Sequence, residues 1–232
     1  MRRIGLLGGM SWESSALFYD LLNRGVTERL GGLHSARVLM SSVDFAEIEE
    51  LQRAGDWDRA GEVLAGEAKR LEAAGAELLV LCTNTMHKVA PAIEAATGVP
   101  LLHLGDVTAA AVRRAGLTTI GLLGTRFTME QHFYVDRIAR HGIAVLVPPP
   151  EDREVVHRVI YDELVLGVVR DESRTAYAQV MERLVARGAE GIVLGCTEIE
   201  LLVGADDTSV PVFPTTQLHV DAALDAALRE DA

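Results

Sequence analysis

The sequence LLVLCTNTMH, at residues 78–87, is the most informative part of this chain. Its first four residues, Leu78–Leu81, are apolar and predict a short strand that is buried on both faces. A polar turn follows at residues 82–85, and a helical segment begins near Lys88. Backbone N–H groups and short polar side chains at such a strand end favour the binding of a small carboxylate. The stretch therefore predicts both a central strand and a ligand site.

A second stretch, GIVLGCTE at residues 191–198, repeats this pattern. When GAE at residues 75–77 is aligned without gaps on GAE at residues 188–190, Thr83 corresponds to Cys196. The chain therefore carries two copies of one strand-end site.

The remainder of the repeat indicates the fold class. The sequence RIGLLGG at residues 3–9 is similar to TIGLLGT at 119–125, and VPLL at 99–102 is similar to VPVF at 210–213. The strands predicted at these positions alternate with helical segments, a pattern typical of parallel sheets with right-handed crossovers. We therefore expect an α/β protein with two pseudo-symmetric lobes, each a short, mainly parallel sheet flanked by helices.

We expect one lobe at residues 1–104 plus 216–232 and the other at residues 105–215. Ligands of open α/β sheets bind at the carboxyl ends of the strands, so the active site is expected in the cleft between the lobes. The two strand ends would then face one bound molecule from opposite sides.

Composition restricts the class of partner and the compartment. The net charge of −12 argues against nucleic acid or an anionic membrane as a partner. No apolar run approaches the roughly 20 residues of a membrane span, and the N-terminus does not look like a signal peptide. Two cysteines far apart predict neither a disulfide framework nor a metal site, and two lysines leave little for Schiff-base chemistry. We expect a cytoplasmic protein.

The chemistry of the two strand ends points to inversion at a carbon centre. Inversion requires one group that removes a proton and a second group that returns a proton from the opposite face. Cys196 is the stronger candidate, because a thiol has a pKa of roughly 8.5 that is lowered at helix N-termini. Thr83 is the second candidate, although an alcohol ionises far above neutral pH. The alternative for Cys196 is a small apolar side chain in the core. The alternative for Thr83 is a hydrogen bond to the substrate without proton transfer.

Cys82 is the reserve candidate for the group that transfers a proton at the second face of the carbon centre. It lies next to Thr83, but successive residues of an extended chain point in opposite directions. The repeat also aligns Cys82 with Gly195 and not with Cys196.

Other polar residues of the two turns are candidate binding groups by position. Asn84, Thr85 and Thr197 could donate hydrogen bonds to a substrate carboxylate, or could only stabilise their turns. Glu198 could orient Thr197 or could interact with a helix dipole. His87 could tune the thiol or could simply begin a helix.

The motifs resemble those of the aspartate/glutamate racemase family, whose signatures are a Cys/Thr-Asn-Thr strand end and a Gly-Cys-Thr strand end. The corresponding sequences are CTNTMH at 82–87 and GCTE at 195–198, and the similarity covers essentially the whole chain. GGMSWES at 8–14, LGGLHS at 30–35 and LGTRFTMEQ at 123–131 are closer to one subgroup. That subgroup contains the broad-specificity, or L-aspartate/glutamate-specific, amino-acid racemases of bacteria.

The resemblance implies two pseudo-symmetric lobes, no cofactor, a homodimer, and inversion of an amino acid at Cα by two bases. It implies a substrate site lined by Met10, Gln52, Thr83, Asn84, Thr85, Thr197 and Glu198. Most members of the family have a cysteine where this chain has Thr83. Acid-specific aspartate racemases tend to carry Arg near Gln52 and Lys near Val165–Leu166. This chain has the neutral residues Gln52 and Val165–Leu166 at these positions, which argues against specificity for acidic substrates.

Two alternative functions stay open at the level of sequence. One is a relative that uses a single cysteine, such as a malonate-type decarboxylase or a maleate isomerase. The other is a protein that binds an amino acid without converting it.

Overall fold

The computed structural model describes residues 1–229 and divides the chain into two compact units. The first unit is Met1–Leu104 together with the segment from His219 onward, and the second is Gly105–Leu218. Within residues 1–229, every helix is too short or too polar to cross a membrane.

The elements of residues 1–104 alternate as the sequence predicts. They are β1 (Ile4–Gly8), α1 (Trp12–Leu30), β2 (Val38–Ser42), α2 (Phe45–Ala54), α3 (Trp57–Ala73), β3 (Leu78–Leu81), a 3₁₀ helix (Thr85–Val89) and α4 (Ala90–Ala96).

The remaining elements repeat this order with additional short helices. They are α5 (Leu104–Arg114), β4 (Thr119–Gly124), α6 (Arg126–Glu130), α7 (His132–Ala139), β5 (Ala144–Leu146), α8 (Pro150–Asp162), a 3₁₀ turn (Leu164–Leu166), α9 (Asp171–Ala186), β6 (Ile192–Gly195), two 3₁₀ turns (Thr197–Leu201 and Ala205–Asp207), β7 (Val212–Pro214) and α10 (Thr215–Leu228).

The sheet of the first unit is parallel, with the strand order β2-β1-β3. The strand predicted at residues 99–102 is reduced to an isolated parallel bridge between Leu101 and Leu79. Pro100 contributes only its carbonyl to this pairing, which accepts the N–H of Leu79. The chain then enters α5 at Leu104, so the pairing does not extend.

Strand β3 is buried on both faces, as its apolar sequence predicts. Leu79 and Leu81 pack in a cluster with residues of α3, including Leu64. Leu78 and Val80 pack on the other side with residues of α1 and α10. Helices therefore cover both faces of this sheet.

The sheet of the second unit is also parallel, with the order β5-β4-β6-β7. The order of its strands corresponds to that of the first sheet: β5, β4 and β6 correspond to β2, β1 and β3, and β7 corresponds to the bridge at Leu101. Two parallel sheets flanked by helices confirm the predicted fold class.

The pairing registers of the strands show which residues of the two halves are equivalent. Gly5 pairs with Leu79 in the first sheet, and Gly121, its equivalent in the repeat, pairs with Ile192 in the second. Leu79 and Ile192 are therefore equivalent, and four residues later Thr83 is equivalent to Cys196. The hydrogen-bonded register and the gapless sequence alignment agree.

Candidate active site

Cys196 directly follows β6 and precedes the 3₁₀ turn Thr197–Leu201. Its side chain is 9% exposed and packs in the apolar cluster that includes Leu194 and Tyr177. The thiol thus lies at the carboxyl end of a parallel strand, in a residue that is mostly buried.

The Cys196 thiol donates a hydrogen bond to the carboxylate of Glu198, with 2.9 Å between Sγ and Oε2. Burial raises the pKa of the thiol well above its usual value, and the negative charge of Glu198 and this hydrogen bond raise it further. A backbone hydrogen bond at Glu198 acts in the opposite direction. The expected lowering of this pKa is therefore wrong, because burial and the two carboxylates of the turn after Cys196 disfavour the thiolate. At rest the thiol keeps its proton.

The second carboxylate of this turn, Glu200, is largely buried. Burial raises its pKa to about 7, although hydrogen bonds from Thr216 lower it. The Thr216 N–H lies 3.2 Å from Oε1 of Glu200, and its hydroxyl donates to the hydroxyl of Thr197. Thr216 thus connects the first turn of α10 to the turn after Cys196. The sequence analysis did not identify Thr216 or Glu200, and the TT pair at residues 215–216, directly after the VPVF segment and Pro214, was the available signal.

Thr83 lies two residues beyond β3 and is half-buried. Its backbone N–H donates to the carbonyl of Leu81 at 2.8 Å, which turns the chain out of the strand. Its carbonyl oxygen lies 2.8 Å from Nδ1 of His87. Among the described residues of the first unit, no group forms a hydrogen bond with the Thr83 hydroxyl. The hydroxyl therefore has no neighbouring base there.

Cys82, the reserve candidate, lies in the hydrophobic core of the first unit. Its side chain is fully buried in the cluster that contains Val80 and residues of α1 and α10. Burial alone raises the pKa of its thiol. Its carbonyl accepts a hydrogen bond from the Ser14 hydroxyl at 3.2 Å, which joins the strand end to the start of α1.

The structure brings four of the predicted binding residues together in the first unit. Met10 packs in the same apolar cluster as Met86, and the Gln52 amide donates a hydrogen bond to the Met86 sulfur at 2.9 Å. Met86 directly follows Asn84 and Thr85, both of which are buried. The other two predicted binding residues, Thr197 and Glu198, flank Cys196 in the second unit.

His87 is fixed by two backbone groups. Its Nδ1 contacts the Thr83 carbonyl, and its Nε2 accepts the N–H of Leu104 at 3.1 Å. It forms no contact with a cysteine in the first unit, so it does not tune a thiol there. This connection was not visible in the sequence, because Leu104 lies 17 residues further along the chain.

Comparison with known proteins gives one consistent result. Residues 7–223 match the Asp/Glu/hydantoin racemase family. A crystal structure of a candidate Asp/Glu racemase from Yersinia pestis is 55% identical, with a TM-score of 0.95, and the match covers 99% of this chain and 100% of the other. An aspartate racemase homologue from Pyrococcus horikoshii OT3 is 30% identical, with a TM-score of 0.87 and the same coverage.

A broad specificity amino-acid racemase from Bacillus subtilis (strain 168) is 20% identical over 228 residues, or 92% of each chain. The family match extends from β1 to α10 and includes both strand-end turns. The chain therefore belongs to the Asp/Glu/hydantoin racemase family, a family of isomerases.

Proposed function

We propose that this protein is a cofactor-independent amino-acid racemase of broad specificity that inverts Cα with Cys196 and Thr83. The observation that carries the proposal is the equivalence of these two residues in the registers of the two sheets. Family membership supports racemisation as the reaction. A duplicated strand end supplies two proton-transferring groups for the two faces of one carbon atom.

The contact between Cys196 and Glu198 supports a specific role for each. Glu198 accepts the thiol proton along the 2.9 Å hydrogen bond, and the resulting thiolate removes the Cα proton. The Cα carbanion then takes a proton from the Thr83 hydroxyl on its other face. Solvent returns a proton to Thr83, and Glu198 releases its proton, so that the enzyme is regenerated.

The substrate carboxylate is proposed to bind the donors at the two strand ends. Asn84 and Thr85 stand at the start of the 3₁₀ helix Thr85–Val89, and Thr197 stands at the start of its counterpart. Hydrogen bonds from the side chains and backbone N–H groups of these turns would stabilise the substrate carboxylate and also the negative charge that develops when Cα is deprotonated. Met10 and Gln52 would line the same site.

Broad specificity is supported by the neutral residues Gln52 and Leu166, near which acid-specific aspartate racemases tend to carry a cation. The Gln52 amide carries no charge and already donates to Met86. Leu164 and Ile199 belong to one core cluster, which packs the turn Leu164–Leu166 against the turn after Cys196. Leu166 is 70% exposed in that turn. A side-chain carboxylate that enters such surroundings lacks a charged partner, so neutral amino acids are favoured.

The assembly and the compartment are part of the same proposal. We propose a cytoplasmic homodimer, as the family resemblance implies. Within residues 1–229 the outer edge of β2 pairs with no other strand, and Met40 on β2 is 42% exposed, which is compatible with such assembly. Sedimentation velocity at micromolar concentration tests this point, since a homodimer has twice the monomer mass.

Solvent deuterium exchange tests the reaction. The purified protein is incubated in D₂O with a panel of L-amino acids, without pyridoxal phosphate, and Cα deuteration and chirality are then measured. We expect deuterated D-amino acid to form. A requirement for pyridoxal phosphate contradicts the mechanism. Carbon dioxide release from a substituted malonate identifies a decarboxylase instead, and binding without exchange identifies a binding protein.

A further inference from the structure

The first unit contains three buried histidines that the proposed reaction does not use. They are His87, His103 and His219, each at most 5% exposed. The ring of His87 lies 4.8 Å from that of His103 and 5.7 Å from that of His219, measured between centroids. We refer to these three residues as the histidine cluster.

Hydrogen bonds define the protonation of His87. The Leu104 N–H can only donate, so Nε2 must be the bare, accepting nitrogen. In a neutral imidazole the proton then resides on Nδ1, which donates to the Thr83 carbonyl. Burial, followed by the neighbouring His103 and His219, lowers the pKa of His87 well below its usual value and keeps the ring neutral.

The cluster lies where the chain leaves and re-enters the first unit. The chain departs after Leu104 and returns at His219. The Nε2 of His219 lies 2.7 Å from the carbonyl of Leu102, two residues before that departure. His87 thus connects the turn that carries Thr83 to the segment through which the chain departs.

Metal binding does not explain this cluster. Both nitrogens of His87 are used by backbone groups, and Nε2 of His219 is used by Leu102. Within the part of the chain that the structure describes, no three His, Cys, Asp or Glu side chains are placed to hold a metal ion.

We propose that His87 is a positioning residue for Thr83: its Nδ1–H holds the Thr83 carbonyl, while its Nε2 fastens the same turn to Leu104. The carbonyl and the side chain of Thr83 share one Cα, so fixing the peptide fixes the direction of the hydroxyl. A misplacement of about 1 Å costs on the order of 10²-fold in rate when a reacting group must be aligned. This inference rests on the proposed function of Thr83.

Two substitutions separate the two hydrogen bonds. In His87→Asn the amide occupies the place of Nδ1 and can donate to the Thr83 carbonyl, but the Leu104 N–H loses its acceptor. In His87→Gln the longer amide reaches the place of Nε2 and accepts from Leu104, but the bond to Thr83 is lost. Each variant loses one buried hydrogen bond, so we expect similar decreases in thermal midpoint. His34→Gln, at an exposed position, is the control.

The rate of Cα deuterium exchange is measured for each enantiomer. The enantiomer whose exchange is lost in Thr83→Ala is taken to present its Cα proton to Thr83, and this side of Cα is called the Thr83 face. We expect His87→Gln to slow exchange at the Thr83 face 10- to 100-fold and His87→Asn to slow it less than 3-fold. Exchange at the Cys196 face should change less than 3-fold in both variants. Equal losses at both faces in His87→Gln, or equal effects of the two variants at the Thr83 face, would overturn the proposal.

The tautomer provides a second test that needs no substrate and no variant. In ¹⁵N-labelled protein at pH 7.5 we expect His87 to show a protonated Nδ1 and a bare Nε2. A protonated Nε2 or an imidazolium would contradict the arrangement. A wild-type protein with this tautomer but without Cα exchange would reject the proposed function, whereas normal exchange with the other tautomer would reject only the role of His87.

Discussion

The sulfur of Cys196 and the carboxylate oxygen Oε2 of Glu198 are 2.9 Å apart and form a hydrogen bond in which the thiol donates. In the proposed mechanism the same carboxylate has two opposite effects on catalysis. Its charge raises the pKa of the thiol, which disfavours the thiolate. It is also the proposed acceptor of the thiol proton, and so provides the path by which the thiolate would form.

Substitution Glu198→Gln decides which effect is larger. The amide cannot take a proton, so we expect Cα exchange at the Cys196 face to fall about 10²-fold. Removal of the negative charge should also lower the pKa of Cys196, and the pH midpoint of its alkylation by iodoacetamide should move down. A faster enzyme with the same shift in alkylation would show that Glu198 only raises the pKa of the thiol and does not accept its proton.

The two cysteines should respond differently to substitution. Cys196→Ser keeps a similar shape but removes the thiol, and we expect a loss of at least about 10²-fold in kcat/KM. Cys82→Ser should leave kcat/KM within about 3-fold while it lowers the free energy of unfolding, because it places a hydroxyl in an apolar cluster. Chiral chromatography and urea denaturation measure the two effects. Full activity in Cys196→Ser would show that the wrong residues have been paired.

Thr83 should govern one face of Cα only. Thr83→Ala should abolish inversion but retain exchange from the enantiomer that faces Cys196, which the subgroup resemblance suggests is the L-form. Thr83→Cys should make the two directions more alike in kcat and KM. The ratio kcat/KM stays equal in both directions in every active variant, because the equilibrium constant of racemisation is one. Equal exchange from both enantiomers in Thr83→Ala would assign the second face to Cys82 or to water.

The Glu200 carboxyl should make stability depend on pH. Its pKa is raised from 4.5 to about 7 in the folded protein. The folded state therefore binds the proton more tightly than the unfolded state, and this contribution to stability is lost as pH rises from 4.5 through 7. Glu200→Gln keeps an acceptor for Thr216 but carries no charge. We expect it to raise the free energy of unfolding by about 3 kcal/mol at pH 8 and by little below pH 5.

Urea denaturation at pH 5 and pH 8 measures this difference. Glu94→Gln, at an exposed position on α4, is the control for the substitution itself, and the gain for Glu200→Gln is measured relative to it at each pH. An equal gain for Glu200→Gln at both pH values would indicate a packing effect rather than the relief of a buried charge.

The range of amino acids that the enzyme accepts should reflect the neutral residues at the positions near which acid-specific aspartate racemases tend to carry a cation. We expect neutral and hydroxylated amino acids to be racemised at least as well as aspartate and glutamate. Arg126 follows the repeat strand β4, but its guanidinium pairs with Glu154 on α8, and about half of its side chain is exposed. A preference of 100-fold or more for aspartate or glutamate would show that an arginine does reach the substrate. Loss of that preference in Arg126→Ala would identify Arg126 as the residue responsible.

Most of the fold was predictable because it depends on local patterns. The bounds of β3, Leu78–Leu81, coincide with its apolar run, and the Ser11 hydroxyl caps α1, a role typical of serine directly before a helix. The helices α6 and α7 were not predicted, since each is short and they are separated only at Gln131. Alternation and capping determine long elements, whereas such short helices depend on their packing against the sheet.

The site was predictable in position but not in electrostatics. The equivalence of Thr83 and Cys196 follows from counting residues along two similar strands. The raised pKa of Cys196 depends on its burial and on the direction in which the Glu198 side chain points. The role of His87 depends on a contact with Leu104. A sequence motif specifies neither burial nor a contact between distant residues.

The division of the chain has a consequence for the order in which the protein can be completed during synthesis. The second unit is one continuous segment, whereas the first needs Val220 and Leu224 of α10 to cover one face of its sheet. Strand β1 is therefore synthesised well before α10, and the face that carries Ile4 and Leu6 is covered only in part, by α1, until the chain has been extended through Leu224. A stalled or prematurely terminated chain that lacks α10 exposes an apolar sheet surface, which is a target for chaperones and a site for aggregation.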